Sequence, residues 1–592
     1  MPLQKLQFKP GVNRDQTNYS NEGGWYQCDK IRFRSGYPQK IGGWLRYGTF
    51  TLIGICRQMF NWVTTYSDNY LALGTSKRAY IEAGGEIYNI TPLQHTSTTL
   101  GAPSGPFTAT TGSDVLTVSY STDTAYNPEV GNYVTFSGAS SLGGNITDDV
   151  LNYAQGYEIL TVNTVAYTYT IDVGVNATSS DTGNGGATVT AYYDIDIGYD
   201  IDTFGYGWGA GPWSRGGWGS GAITPIVQPQ RDWFFQNFDN DLVMNIRNGP
   251  IYYWKYSDGV GARATLLSST TIDGVAPSDV PAEATEILLS QNDKHLLALG
   301  ATPYGGGDFD PLLIRWASQN EPNVWTPLVT NSAGFIRVSR GSQIVCGVAT
   351  RQEILVFTDG TLNSLQYLGT NDVFGLQELS DNISILSSRS VAVVNNTAYW
   401  FGHDKFYAYS GRVETLPCTL RNHVFENLNY AQANQIVVGT NEGWNEIWWF
   451  YASKNSEWVD RYVVYNHLDS LWHYGTMVRT AWLDAGSRNL PFAASTDQDQ
   501  NPGILYQHEV GLNDDTLPMD SFIQSSDFDI GDGEQFMLTR RIIPDINFTS
   551  SEAQNPEVTI TVRPRSFPGS NYTNDAADSQ AKRCLSFCET SI

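Results

Sequence analysis

A short unit recurs along this chain: polar turn residues, then four to six apolar or aromatic residues, then another turn. It appears as Asp68-Asn-Tyr-Leu-Ala-Leu-Gly, Asp239-Asn-Asp-Leu-Val-Met and Asp293-Lys-His-Leu-Leu-Ala-Leu-Gly. Looser forms begin at Arg351, Val394, Trp444 and Asn501. Apolar runs of this length between Gly, Pro, Asn and Asp read as β-strands, and no amphipathic helical stripe interrupts them. From Asp239 onward successive units start 54, 58, 43, 50 and 57 residues apart. Four-stranded propeller blades repeat every ~40–50 residues. The pattern therefore predicts an all-β chain built on a β-propeller of six to eight blades, with seven units counted.

One interval breaks the rhythm. Between Asp68 and Asp239 lie 171 residues, a blade plus roughly 110–120 more on the same repeat arithmetic. Gly101–Tyr192 alternates cleanly, as in Asp114-Val-Leu-Thr-Val-Ser-Tyr and Tyr167-Thr-Tyr-Thr-Ile-Asp. Residues 101–192 are read as a β-sandwich inserted into the propeller at a loop, where scaffolds tolerate insertion. Residues 1–100 then hold an N-terminal segment and the first blade, and 231–515 the remaining blades. Residues 193–230 form a Gly/Trp-rich connector in which Trp208, Trp213 and Trp218 stand five residues apart. These indoles serve either as plugs between the insert and the propeller or as a contact for a neighbouring subunit, where Trp is enriched. Residues 516–575 read as a C-terminal β-domain turning at Gly531-Asp-Gly533. Residues 576–592 lose the alternation and are expected to be a disordered tail.

Charge sharpens this division. The 592 residues carry a net charge of −25, but residues 1–60 hold nine Lys/Arg against three acids. Between Ala79 and Ser214 there is no Lys or Arg and there are fourteen acids. Tight nucleic-acid binding needs cations that displace counterions, so this stretch should repel DNA; it serves equally as a solubilising surface. The six cysteines (28, 56, 346, 418, 584 and 588) form no CxxC pair, which argues for reduced thiols rather than a disulfide scaffold or zinc site. The N-terminus lacks the apolar core of a signal peptide, and no apolar run approaches the ~20 residues of a membrane helix. The expectation is a soluble, non-secreted chain without membrane insertion.

Catalytic signatures are missing. There is no HExxH, GxSxG or GxxxxGK[ST]. Of the seven histidines, His467 and His473 are closest, flanking a turn at Asp469-Ser470 that suits a pair of metal ligands, but the sequence offers no third ligand beside them. Asp194, Asp196, Asp200 and Asp202 fall at period two, which suits a solvated strand face or, less well, oxygen ligands for Ca²⁺. A glycosidase would need two carboxylates ~5–9.5 Å apart in an aromatic cleft, and no sialidase-type repeat supports one. No catalytic residue, cofactor or metal is expected.

The most distinctive stretch is Gly23-Gly-Trp-Tyr-Gln-Cys-Asp-Lys-Ile-Arg-Phe-Arg-Ser-Gly-Tyr-Pro-Gln-Lys-Ile-Gly-Gly-Trp44. Two Gly-Gly-Trp corners bracket a strand with Lys30, Arg32 and Arg34 on one side and Ile31 and Phe33 on the other. Such a basic face suits either successive phosphates or an acidic protein surface; Asp29 and the Gly-Trp corners favour the protein. With the preceding Pro10-Gly-Val-Asn-Arg-Asp-Gln-Thr-Asn-Tyr19, the block resembles the N-terminus of head-to-tail stabilisation, or tail-nozzle, proteins of short-tailed bacteriophages. The resemblance covers residues 8–50 most specifically and the rest diffusely. It implies a propeller with accessory β-domains, assembled as a homo-oligomeric ring, a hexamer, in the phage tail of a virion. The ring would sit below portal and adaptor, meet a tail needle or fibre distally, and pass double-stranded DNA without specific binding. By matching position, Arg14, Asp15, Trp25, Asp29, Lys30, Arg32, Arg34, Lys40 and Trp44 are the implied assembly residues. The alternative is a tail-associated propeller that binds or cleaves glycans.

Overall fold

The computed structural model describes residues 5–101, 103–196, 198, 200–205, 226–228, 230–370, 372–496 and 503–529, and beyond these 543, 545–548, 551, 557–565 and 570–572. Seven sheets of four or more strands, antiparallel except for one parallel pairing of Trp44 with Asp514, stand around one axis as a β-propeller. Blade 1 is Cys56–Val63, Asn69–Thr75, Ala79–Ala83 and Glu86–Asn89. Blades 2 to 6 follow in order, opening with the strands Trp233–Phe238, Ala284–Ser290, Ile344–Ala349, Val391–Val394 and Val437–Asn441. The recurring unit of the sequence marks the second strand in each of blades 1 to 6. The reason is local: a tight polar turn leads from an inner strand into a strand buried on both faces. In blade 7 the unit falls on the third strand, Ile504–His508.

Blade 7 closes the circle. Ala481–Leu483, Phe492–Ser495 and Ile504–His508 come from the C-terminal side. The fourth strand, Trp44–Arg46, comes from the N-terminal segment and pairs Trp44 with His508 and Arg46 with Tyr506. Asn513–Asp514 and Leu517–Pro518 extend the same sheet outward. Each junction between neighbouring blades has its own apolar core, and the blade 7–blade 1 junction, with Cys56, Met59 and Leu71 against Ala481, Ala494 and Leu505, completes the series. One packing device is used twice. Trp233 lies on Gly74 and donates its indole N–H to Thr75 O at 2.9 Å; Trp482 lies on Gly439 and donates to Thr440 O at 2.8 Å. A Cβ on Gly74 would stand 2.5 Å from Trp233, so the small residue is what lets the blades meet.

The insert leaves blade 1 after Asn89 and returns before blade 2. Its eight strands, from Leu93–Ser97 to Thr190–Asp194 in chain order, form one sheet folded over a single core, with Asp181–Asn184 and Leu93–Ser97 at the two edges. Phe107 and Phe136, well separated in strand order, meet across that core at 5.0 Å. Arg78 of the tight turn between the second and third strands of blade 1 pins the insert by pairing with Asp194 at 2.9 Å and stacking over Tyr133. Phe522–Ser525, where the C-terminal domain is expected to begin, pairs with Trp25–Asp29 near the N-terminus. Most of 530–592, including the expected tail, lies outside the described residues. So do Trp208, Trp213 and Trp218.

Candidate assembly site

The N-terminal segment is bound into the propeller rim residue by residue. Val12 N–H donates to Trp472 O, in the outer strand of blade 6, and Arg14 N–H to Thr419 O, just past blade 5. Asp15 accepts from the backbone N–H of Asn422 at the start of the helix Arg421–Phe425. Trp25 is half-buried against Phe8, ring centroids 4.7 Å apart. Asp29 accepts from Thr476 N–H (2.7 Å) and Oγ1 and lies 3.4 Å from Lys30 Nζ. Ile31–Arg34 and Tyr37–Lys40 form a hairpin whose two turn residues, Ser35 and Gly36, both have positive φ, the geometry two-residue hairpins favour. The second Gly-Gly-Trp corner has a steric cause. A Cβ on Gly43 would fall 2.5 Å from the backbone of Asn513, so the chain can enter blade 7 there only as glycine.

The basic strand is not a one-sided cationic face, contrary to its alternation. Arg32 is 1% exposed and reaches Glu446 in blade 6 at 3.0 Å and Glu509, after blade 7, at 2.7 Å. Its guanidinium lies 4.1 Å from the Trp444 ring centroid. Burial opposes the Arg32 charge, and the two carboxylates more than offset it. Burial likewise pushes Glu446 up, but Arg32, His473 and the Trp448 indole hold it below the usual carboxylate range. Trp44 is buried and donates to Asp514 at 2.6 Å. Lys40 is half-buried, its pKa lowered by burial despite nearby Asp520. Arg34 alone of the three basic residues is exposed. His473 faces Glu446 at 3.5 Å and is not paired with His467.

Beside this segment opens a groove of about 470 Å³, lined among others by Arg14, Asp29, His423, Glu426, Arg461 and Tyr474. Arg14 donates to Tyr474 Oη at 2.9 Å and stacks over Tyr26. The His423 ring lies 4.4 Å from that of Tyr474. Burial first, then the positive charges of Arg14 and Arg461, bring His423 down to about 4. The groove thus gathers two guanidiniums and a neutral imidazole at the rim.

Two polar clusters escaped the sequence reading because their members are far apart in the chain. At the propeller axis, buried Arg389 pairs with Asp232 at 2.9 Å, and buried Arg57 donates to Asp200 O. Glu286 accepts from Gly347 N–H, and burial raises it to about 8. In the insert, His95, Ser97 and Asp123 converge, yet their wiring is not that of a nucleophile. Ser97 is buried and donates to Asp123, which also meets His95 at 2.5 Å, so the imidazole contacts the carboxylate rather than the serine hydroxyl. The period-two aspartates are not a shared solvated face. Asp194 is buried between Arg78 and Arg263, and Asp202 is buried against Gln230 N–H and Asn434.

No protein-family model matches the chain, and no curated protein matches it. Among solved structures, it is similar to Hsv2 of Kluyvelomyces marxianus, at 10% identity, 45% of this chain, 72% of that one and a TM-score of 0.26. It is also similar to the N-terminal domain of Nup159, at 10% identity, 47% and 74% coverage and a TM-score of 0.30. The AfRom2 CNH domain gives 10%, 46%, 92% and 0.24.

Proposed function

We propose that this chain is a structural part of the tail of a short-tailed phage, a subunit of a nozzle ring that extends the DNA conduit below portal and adaptor. The observation that carries the reading is where the distinctive segment lies. Residues 8–46 wrap the outer edge of blades 5 to 7 and border an open polar groove there, while the propeller axis is filled by Arg57, Asp232, Glu286 and Arg389. A rim surface suits side-by-side assembly of subunits. A filled axis means that DNA would run between copies rather than through one. The Lys/Arg-free stretch from Ala79 to Ser214 supports passage without adhesion. On this reading the virion holds the chain as a six-fold ring, with the adaptor above and a needle or fibre below.

Cryo-electron microscopy of particles carrying the chain tests this directly. A six-fold density around a central channel, matching the seven-bladed unit, is the expected result. Peripheral trimers would overturn it and favour the glycan-directed alternative, which release of reducing ends from host polysaccharide would then test.

A further inference from the structure

We propose that His508 is an acid-operated latch of the propeller: a proton on its Nε2 releases the closing strand Trp44–Arg46 from blade 7.

The latch stands where the two ends of the chain meet. His508 ends the third strand of blade 7 and lies opposite Trp44 in the register, ring centroids 5.4 Å apart. Trp482, from the first strand of the blade, packs on the same ring at 4.6 Å. Asn513–Asp514 and Leu517–Pro518 reach the sheet through the closing strand, so loosening Trp44–Arg46 also frees the outer half of the blade.

The imidazole is held as a proton-free acceptor. Arg479, in the link from blade 6 to blade 7, donates its Nε–H to His508 Nε2 at 2.8 Å, and both residues are buried. A guanidinium has donors only, so this nitrogen is unprotonated while the blade is closed. A proton there would abolish the bond and set two cations against each other. No carboxylate stands ready to neutralise them. Among the described residues Arg479 forms no ion pair; it donates to Val478 O at 2.6 Å and lies over the rings of Trp44 and Tyr506, 4.9 and 4.8 Å from their centroids. Its buried Nη2 has no hydrogen-bond partner among the described residues.

The other ionisable groups around the ring are committed. Asp514 accepts from the Trp44 indole and Asp515 from Arg46 N–H. Glu509 binds Arg32 and Asn441. Tyr506 is neutral, its phenol raised by burial. Burial first, then the charges of Arg479 and Arg32, hold the His508 imidazole well below its ordinary range. Once the closing strand lifts away, the ring meets water and regains a pKa of about 6.5. Only the open form then binds the proton, so its population grows about tenfold for each pH unit below that value. The support that His508 gives to closure is therefore full above about pH 6.5 and is lost as pH falls.

The test is amide hydrogen exchange of the full chain at pH 7.5, 6.5, 5.5 and 4.5, read by mass spectrometry and corrected for intrinsic rates. Protection of peptides covering 44–47 and 504–508 should fall about 50-fold from pH 6.5 to 4.5, as one proton per opening requires. Peptides covering 344–358 of blade 4 should keep theirs within about threefold. His508→Gln retains an acceptor for Arg479 but takes up no proton, so its protection at 44–47 should stay within about threefold over the same range. In Arg479→Met the closed blade can accept the proton, and the fall should shrink to less than about fivefold. Wild-type protection that does not fall below pH 6.5 overturns the latch. So does a fall that survives in His508→Gln, or one that blade 4 shares equally. Where His508→Gln does not fold, a fall undiminished in Arg479→Met overturns it as well.

Discussion

Replacing Arg32 by alanine removes the cation that links the N-terminal hairpin to blades 6 and 7. Glu446 is 1% exposed and would keep its burial without its principal counter-charge. Breaking one side of a buried ion pair typically costs about 3–5 kcal/mol, much more than the pair itself contributes. For an unfolding unit of several hundred residues, that corresponds to a fall of about 4–6 °C in melting temperature. The pH dependence carries the diagnosis. In the wild type Glu446 is held below its unfolded pKa, so its contribution is full above that pKa and is lost as pH falls through the folded one. Without Arg32, burial dominates and the carboxyl is raised, so acid protonates it and relieves the variant. The deficit of Arg32→Ala should therefore be full at pH 7 and shrink towards pH 4. Differential scanning calorimetry of wild type, Arg32→Ala and the exposed control Arg34→Ala reads this, with the control within about 0.5 kcal/mol of wild type. An Arg32→Ala protein melting within 1 °C of wild type at pH 7, or one whose deficit does not change with pH, would refute the intramolecular assignment.

Glu286→Gln should raise stability at pH 8–9 and leave it unchanged at pH 4: a carboxyl raised to about 8 favours folding fully only below its unfolded pKa and progressively less as pH rises through 8. Urea melts at the two pH values check it. His423, depressed to about 4, works in the opposite direction, with its contribution intact above its unfolded pKa near 6.5 and lost as pH falls towards 4. His423→Gln should flatten that part of the stability profile. Trp44→Ala removes a buried ring from the closing strand and its bond to Asp514, and should cost about 3–5 kcal/mol in denaturant melts. Double-stranded DNA should bind the assembled chain only weakly at physiological salt, as fluorescence anisotropy would show; tight, steeply salt-dependent binding would count against the conduit reading.

Local pattern was enough for the architecture. A period-two run between turn residues forms a strand wherever it lies, so the repeating unit of Asp68, Asp239 and Asp293 located second strands blade after blade. The stretch without Lys or Arg marked the insert, because a separate domain builds its own core and its own surface charge. Alternation, however, states only that a strand has two faces; it does not state what covers them. Arg32 reads as solvent-facing from its neighbours and is buried because Glu446 and Glu509 arrive from blades formed hundreds of residues later. The same holds for Trp44, which bonds Asp514 across 470 residues of chain, and for Asp194, whose period-two company gave no hint of Arg78 and Arg263. Strand propensity and turn chemistry act over a few residues and are written in the sequence. Closure of the ring, burial of its charges and the groove at its rim depend on which distant segments meet, and only the tertiary structure decided that.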